Sequence, residues 1–222
     1  MYKTEPHLHT AEISSCANIR ASEMVRLHYE AGFNTIFITD HLSWSFCDSL
    51  GDIPWQEKTA IFLSGYYKAK VAAEKYDITV LMAAEVTFRH KPNDYLVYGI
   101  TKEFLDAYPD LCEMGIDEFY KIAQKHNIFV VQAHPNRDGH CFPTPQSVDG
   151  FEVYNPNPRH DDASEKTEQC ANEYGLFKTA GSDSHRTEDI GRTGILTSSK
   201  INSAEDYINH IKNGSFEIFR EC

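Results

Sequence analysis

Paired histidines near the N-terminus, in His7-Leu8-His9-Thr10, have a spacing that suits metal binding. On an extended strand the side chains at positions i and i+2 point to the same side, so both imidazoles can reach one cation. Other imidazole and carboxylate residues recur along the chain, each where an apolar, β-rich run stops. These stretches are Thr39-Asp40-His41, Ala84-Glu85, Gln132-Ala133-His134-Pro135 and Gly181-Ser182-Asp183-Ser184-His185. Ligand-type residues at the ends of several strands are typical of the mouth of a barrel.

Eight of these side chains together predict a metal site. They are His7, His9, His41, Glu85, Asp94, His134, Asp183 and His185. Any one of them alone is more typical of a surface residue, a hydrogen-bonded residue or a helix cap. A cluster of buried carboxylates, however, needs a cation or arginine partners. Imidazole and carboxylate suit Zn, Mn and Fe, and the lack of thiol pairs argues against a structural zinc site.

Strands alternate with helices along the chain, which predicts a parallel α/β architecture in a single domain, residues 1–222. The predicted strands are 7–9, 34–39, 78–84, 94–100, 128–133, 150–154 and 177–181. The predicted helices are 22–31, 57–75, 117–126, 161–174 and 203–212. Segments 42–56 and 136–148 lack a clear period, so we expect them to be loops near the pocket.

Composition limits the possible functions. The chain has 222 residues, of which 41% are hydrophobic, and no apolar run approaches the length of a membrane span. The N-terminus lacks the pattern of a signal peptide, so we expect a cytoplasmic protein whose six scattered cysteines are free thiols. The net charge of −12 argues against nucleic acid as the main partner. The sequence does not indicate an oligomeric state.

The five motifs quoted above resemble, in the same order and over nearly the whole chain, those of the PHP family (polymerase and histidinol phosphatase). The resemblance is to a stand-alone member similar to histidinol phosphatase. It implies a distorted, TIM-like (β/α)7 barrel with two or three divalent metals at the C-terminal ends of its strands.

The resemblance also implies how the ligands are shared among the metals. One metal would bind His7, His9, Glu85 and Asp183, and a second would share Glu85 and add His134. Asp94 stands where the family often has histidine, and an aspartate can still ligate.

A third metal would bind His41 and His185, together with a residue in the loop after His9. Glu12 is our choice for that residue, although Ser14 and Ser15 are close by. Asp40 is expected to orient an imidazole rather than to bind a metal directly.

Several arginines near these motifs could bind the substrate. They are Arg20, Arg137, Arg159 and Arg186, and Asn155 ends a strand on the same face. A guanidinium offers a fixed fork of donors that suits a phosphate, although each of these arginines could equally form a surface ion pair.

These features predict a phosphatase that hydrolyses a small phosphorylated metabolite, such as histidinol phosphate or a nucleoside monophosphate. In this mechanism the metals activate water, and Arg137 and Arg186 hold the phosphate. The alternatives are a phosphodiesterase or nuclease acting on nucleotide ends, a metal-dependent amide hydrolase, and a regulatory module that binds metal without catalysis.

Overall fold

The computed structural model describes residues 1–109, 111–161 and 163–220, and within these ranges ten strands form one sheet. The strands are β1 (Tyr2–Glu5), β2 (Thr35–Ile38), β3 (His41–Ser43), β4 (Thr79–Thr87), β5 (Asp94–Tyr98), β6 (Phe129–Gln132), β7 (Gly150–Tyr154), β8 (Phe177–Ala180), β9 (Thr193–Thr197) and β10 (Glu217–Arg220). The helices are α1 (Ala21–Glu30), α2 (Trp44–Ser49), α3 (Trp55–Phe62), α4 (Ser64–Ala73), α5 (Lys102–Ala107), α6 (Ile116–Lys125), α7 (Ser164–Tyr174) and α8 (Ala204–Asn213). None of the described helices is long and apolar enough to span a membrane.

The sheet curves into a nearly closed barrel. Its strand order is β10-β9-β1-β2-β4-β5-β6-β7-β8, with β3 beside β4. Just beyond β1 and β8, Leu8 and Ser184 form a parallel bridge, which joins the two sides of the barrel at its mouth. The predicted distorted TIM-like barrel is therefore confirmed.

The predicted parallel direction is wrong for β5, and the sheet also contains antiparallel pairs that involve β9. β5 runs antiparallel to both of its neighbours, β4 and β6, and β9 runs antiparallel to β1 and β10. Because β5 is reversed, its first residue, Asp94, lies beside Thr87 at the C-terminal end of β4. Asp94, although it begins a strand, therefore lies at the end of the barrel where the parallel strands terminate.

Several predicted boundaries also differ. The predicted strand 7–9 is wrong, because β1 ends at Glu5 and the paired histidines follow it. Segment 42–56 is not simply a loop, since it contains the end of β3 and helix α2. The predicted helix 57–75 is divided between α3 and α4. α5, β9 and β10 were not predicted, and Asp162, inside the predicted helix 161–174, lies outside the described residues.

An aromatic group in the core supports the segment that enters the site. The rings of Phe37, Tyr98 and Tyr207 pack with centroid distances of 4.7 to 5.2 Å, and all three residues are fully buried. Burial on this scale is a main source of stability for the barrel. The Tyr98 hydroxyl donates a hydrogen bond of 3.1 Å to the carbonyl of Pro6, the residue before His7. The core therefore fixes the backbone just before the first histidine.

Candidate metal centre

The closure of the barrel brings the first and last motifs together. The His9 amide donates to the Ser184 carbonyl at 3.0 Å, and the Ser184 amide donates to the His7 carbonyl at 3.3 Å. Asp183 and His134 have positive φ angles of 51° and 30°, which non-glycine residues rarely adopt. Such strained backbone is common at functional sites, where the surrounding structure holds it in place.

A central cluster contains His7, His9, Glu85 and Asp183, all of them buried. The two Nε2 atoms of His7 and His9 lie 3.1 Å apart. The Nε2 of His9 lies 3.2 Å from Asp183 Oδ1 and 3.2 Å from Glu85 Oε2. Two imidazoles and two carboxylates converging in this way form a donor set suited to a divalent cation.

Two further clusters share residues with the central one. Glu85, Asp94 and His134 form the second, in which His134 Nε2 lies 3.1 Å from Glu85 Oε1. His9, His41 and His185 form the third, in which the rings of His41 and His185 each stack against His9, at centroid distances of 4.3 and 4.2 Å, and lie 6.0 Å from each other. Because Glu85 belongs to two clusters and has two carboxylate oxygens, neighbouring cations could share it. His9 also belongs to two clusters, but its Nδ1 faces Ser14 and its Nε2 has a single lone pair, so it could bind only one cation.

Two buried carboxylate oxygens without a hydrogen bond indicate that these residues fit a bound cation. Asp183 Oδ1 and Glu85 Oε2 are buried, and neither accepts a hydrogen bond, although imidazole nitrogens lie within 3.0 to 3.4 Å of them. Buried carboxylate oxygens left in this state are costly without a positive partner. Together with the oxygen and nitrogen chemistry of the donor set, these atoms indicate a metal centre.

The charges of the cluster are strongly coupled. Burial would raise the pKa of Glu85, but the imidazoles of His7 and His41 outweigh it and hold that pKa well below its usual value. Burial and the neighbouring His9 lower the pKa of His185 to about 3. Burial would also lower the pKa values of His7 and His41, but the nearby carboxylates outweigh it and raise both, so a bound cation would have to displace their protons.

Asp40 supports His9 indirectly. Its carboxylate accepts hydrogen bonds from the Thr10 amide (2.6 Å) and from the Ser14 hydroxyl (2.8 Å), and Ser14 Oγ lies 3.2 Å from His9 Nδ1. A side chain on Gly65 of α4 would place its Cβ 2.5 Å from Asp40 Oδ2, so the close approach of this helix requires glycine. This placement agrees with an orienting role for Asp40.

Sequence reasoning missed Glu152, which is buried on β7 beneath the cluster. Its Oε1 lies 2.9 Å from His7 Nδ1, and its Oε2 accepts hydrogen bonds from the His134 amide (3.0 Å) and from Asn155 Nδ2 (2.7 Å). A carboxylate that accepts from Nδ1–H leaves the Nε2 lone pair of His7 facing the cluster. The available signal was a single acid within the otherwise apolar strand Gly150–Tyr154.

Glu12, predicted as a metal ligand, and Arg20, predicted to bind substrate, do not belong to the three clusters or to the cavity beside them. Glu12 Oε2 accepts a 2.8 Å hydrogen bond from the Ala21 amide, so this carboxylate caps the N-terminus of α1. Arg20 and Glu12 line a different cavity, beside α4. In the loop after His9 it is Cys16, near Ser14 and Ser15, that lines the pocket beside His41. The five described cysteines are free thiols, as predicted, and Cys222 lies outside the described residues.

The clusters open into a cavity of about 370 Å³ that also contains three of the predicted arginines. Arg137 donates to Asp183 at 2.7 Å, and Arg159 donates to both oxygens of Asp189 at 2.8 Å. Arg186 is 44% exposed, and its contact with Glu188 is long, at 3.9 Å. Of the three, Arg186 therefore has the guanidinium most available to an incoming anion.

Asn155, which is predicted to bind substrate, is not among the residues that line the cavity. It is buried, and it receives a 2.8 Å hydrogen bond from Arg137 while donating to Glu152. Asn157, two residues further along the chain, lines the cavity.

Comparisons with known proteins agree with this architecture. A sequence profile described as PHP-associated matches residues 162–216. A search of curated protein sequences returned no match. The chain therefore has a recognisable family signal in its C-terminal quarter, and the remaining comparisons are structural.

Three solved structures are similar over nearly the whole chain. A two-domain protein of Bacteroides vulgatus ATCC 8482, which contains a predicted PHP-like metal-dependent phosphoesterase, has 18% identity and a TM-score of 0.71 over 99% of this chain and 65% of its own. PsfC from Pseudomonas syringae PB-5123 has 13% identity and a TM-score of 0.71, over 100% of this chain and 92% of its own. The lesion-specific endonuclease PfuEndoQ from Pyrococcus furiosus has 11% identity and a TM-score of 0.61, over 98% of this chain and 57% of its own. At these identities the likeness establishes a shared fold, and with the profile match it supports a relationship to the PHP family.

Proposed function

We propose that this chain is a metal-dependent phosphoesterase of the PHP family, and that it releases phosphate from a small phosphomonoester. The observation that carries the proposal is the set of three ligand clusters linked through Glu85 and His9, next to the available guanidinium of Arg186. The relationship to a fold that includes PHP-like phosphoesterases supports the same class of hydrolase.

Each cluster would hold one divalent ion, with Zn, Mn and Fe the metals best suited to the donors. His7, His9, Glu85 and Asp183 would hold the first. Asp94 and His134 would join Glu85 at the second, and His41 and His185 would contribute to a third. Divalent ions at such sites supply Lewis-acid activation of phosphoryl oxygens and of water.

The residues around the clusters would position the substrate. Arg186 would donate hydrogen bonds to phosphate oxygens that approach the clusters. Arg137, through its 2.7 Å bond to Asp183, would hold that carboxylate in position, and Arg159 is fixed at the cavity wall by Asp189. A fixed arrangement of donors around a phosphate lowers the reorganisation needed in the transition state.

The test is phosphate release by the purified protein from histidinol phosphate, nucleoside monophosphates and sugar phosphates, with added Mn, Zn or Fe(II). We expect turnover that a chelator abolishes and that His9→Ala removes. His126→Ala, which changes an exposed histidine at the end of α6, is the matched control and should retain activity. If the metals bind and no monoester is hydrolysed, the monoesterase proposal is wrong.

The same assay includes a diester, such as bis-p-nitrophenyl phosphate, to test the rival phosphodiesterase hypothesis. An endonuclease shares this fold, but the net charge of −12 is unfavourable for a nucleic-acid substrate. Faster cleavage of the diester than of every monoester would favour the rival. Metal binding without any hydrolysis would instead favour a regulatory module.

A further inference from the structure

We propose that a second cavity, which we call the neutral cavity, binds the leaving group of the substrate, and that this group is an uncharged alcohol carrying a planar ring. The inference rests on the proposed phosphoesterase function. The neutral cavity has a volume of about 490 Å³ and shares His41 and Cys16 with the cavity that contains the metal clusters. It is further lined by Ser43, Trp44, Ser45, Phe46, Ser49 and Thr87.

The two cavities differ sharply in charge. The first contains the acidic and imidazole clusters together with Arg137, Arg159 and Arg186. Among the described residues that line the neutral cavity, none is Asp, Glu, Lys or Arg, and His41 belongs to the clusters. A phosphoryl group would therefore bind in the first cavity, on one side of His41, and the rest of the substrate would lie against the uncharged residues of the neutral cavity, on the other side.

This difference selects against a cationic leaving group. An ammonium placed in the neutral cavity would lose water without gaining a carboxylate partner, which is unfavourable. Three acids are adjacent along the chain to residues of the cavity wall, and each already has a partner. Asp48 pairs with Arg89 at 2.8 Å, Asp40 accepts hydrogen bonds from Thr10 and Ser14, and Glu12 accepts one from the Ala21 amide. An amino alcohol such as histidinol is thus a poorer fit than an uncharged alcohol.

The aromatic side chains are held in place before any ligand binds. The guanidinium of Arg89 lies 5.0 Å from the centroid of the Trp44 ring and is itself paired with Asp48 and Glu113. Phe46 packs against Phe62 with a centroid distance of 6.1 Å. Fixed aromatic walls lower the entropic cost of binding a flat group.

Hydroxyl groups complete the cavity. Ser43 and Ser45 lie 2.9 Å apart through their Oγ atoms, and Ser43 also caps α2 by accepting from the Phe46 amide. Each hydroxyl can both donate and accept, so the wall retains capacity for polar groups at the edge of a ring. Aromatic walls combined with hydroxyls favour a planar, heteroatom-bearing alcohol such as a nucleoside.

Binding can be measured without turnover, because the chain has two tryptophans. In Trp55→Phe the only tryptophan left is Trp44, and we expect adenosine to change its fluorescence saturably. Histidinol, which has a ring and an ammonium, and ribose, which has no ring, should bind at least tenfold more weakly. In the matched variant Trp44→Phe the remaining Trp55, on α3, should not respond to adenosine.

If histidinol binds as tightly as adenosine, the claim that the neutral cavity selects against a cationic group is wrong. If adenosine gives no saturable change in fluorescence, the neutral cavity is not a binding site for it. Circular dichroism and thermal unfolding establish that each variant is folded.

A kinetic arm separates this proposal from the proposed function. Stacking on an aromatic side chain typically contributes about 5- to 150-fold in affinity per base. We therefore compare kcat/KM for adenosine 5′-monophosphate with kcat/KM for glycerol phosphate, whose leaving group has no ring. Trp44→Ala should lower the ratio of the two values at least about fivefold, mainly by raising KM for the nucleotide. Trp44→Phe should restore most of the ratio. If Trp44→Ala is active and the ratio is unchanged, the neutral cavity does not bind the leaving group, although the phosphoesterase function stands. If no protein hydrolyses any substrate, the phosphoesterase function is wrong, and the fluorescence titration alone decides whether the neutral cavity binds adenosine.

Discussion

Replacing Glu152 with glutamine should weaken metal binding while leaving the volume of the side chain almost unchanged. The carboxylate faces three N–H donors: Nδ1 of His7 at 2.9 Å, the His134 amide at 3.0 Å and Nδ2 of Asn155 at 2.7 Å. An amide offers one oxygen and one NH2 group, so in either orientation its NH2 group faces at least one of these donors.

Both orientations of the introduced amide would damage the site. If the amide NH2 faces His7, Nδ1 must accept, and the proton moves to Nε2, the nitrogen that faces the cluster and would bind the metal. If the NH2 instead faces His134 and Asn155, buried donors lose their acceptor. Loss of a partner that orients a ligand histidine typically lowers metal affinity about 10- to 100-fold, or about 1.4 to 2.7 kcal/mol.

Competitive titration of the metal-free protein against a chromophoric chelator, with Mn²⁺ or Zn²⁺, measures this affinity. Glu168→Gln is the matched control, because Glu168 is partly exposed on α7 and pairs with Lys178 rather than with the cluster. The control should bind metal as the natural sequence does. An affinity of folded Glu152→Gln within twofold of the natural value would refute the reasoning.

The other predictions concern phosphate binding, helix capping and pH. Arg186→Ala should raise KM for a phosphomonoester more than Arg186→Lys does, as steady-state kinetics can measure; equal effects of the two would argue against a guanidinium that binds phosphate in a forked geometry. Glu12→Ala should lower the free energy of unfolding by about 0.5–2 kcal/mol in urea titrations without changing metal stoichiometry, because the acceptor that caps α1 is lost. Loss of one bound metal would instead support its predicted role as a ligand. Burial raises the pKa of Glu5 to about 8 despite hydrogen bonds from the His7 and Ser182 amides. Its folded pKa thus lies above the unfolded value near 4.5, so its contribution to stability is complete below that value and is lost as the pH rises through about 8. The metal-free natural protein should therefore lose stability between about pH 4.5 and 8 relative to Glu5→Gln, and parallel pH profiles would contradict this prediction.

The sequence was informative where a ligand-type residue comes after an apolar run. His134 lies just after β6 and Asp183 just after β8, and both reach the mouth of the barrel because parallel strands all end there. The same reasoning placed Glu85 at the mouth, although β4 in fact continues beyond it to pair with β3 and β5.

Features that depend on long-range contacts could not be predicted from the sequence. The antiparallel direction of β5, which determines where Asp94 lies, is set by its pairing with β4 and β6 rather than by local pattern. Glu152 supports His7 across 145 positions of sequence, and only the closed barrel brings them together.

Local geometry places Glu12 at the start of α1 rather than in one of the three clusters. The loop after His9 returns to the start of α1, where the Ala11 amide donates to the Ile19 carbonyl at 2.8 Å. The turn directs Glu12 to the unpaired amides of the helix and leaves Cys16 beside His41. From the sequence alone, every polar residue of this loop was a comparable candidate.

The number of metal ions bound per chain tests the central claim most directly. After reconstitution with Mn²⁺ and removal of free metal, inductively coupled plasma mass spectrometry should find two or three ions per chain in the natural protein. It should find at least one fewer in Glu85→Gln, because Glu85 belongs to two of the three clusters. Fewer than one tightly bound ion in the natural protein, or the same number in both proteins, would contradict a metal centre built on these residues.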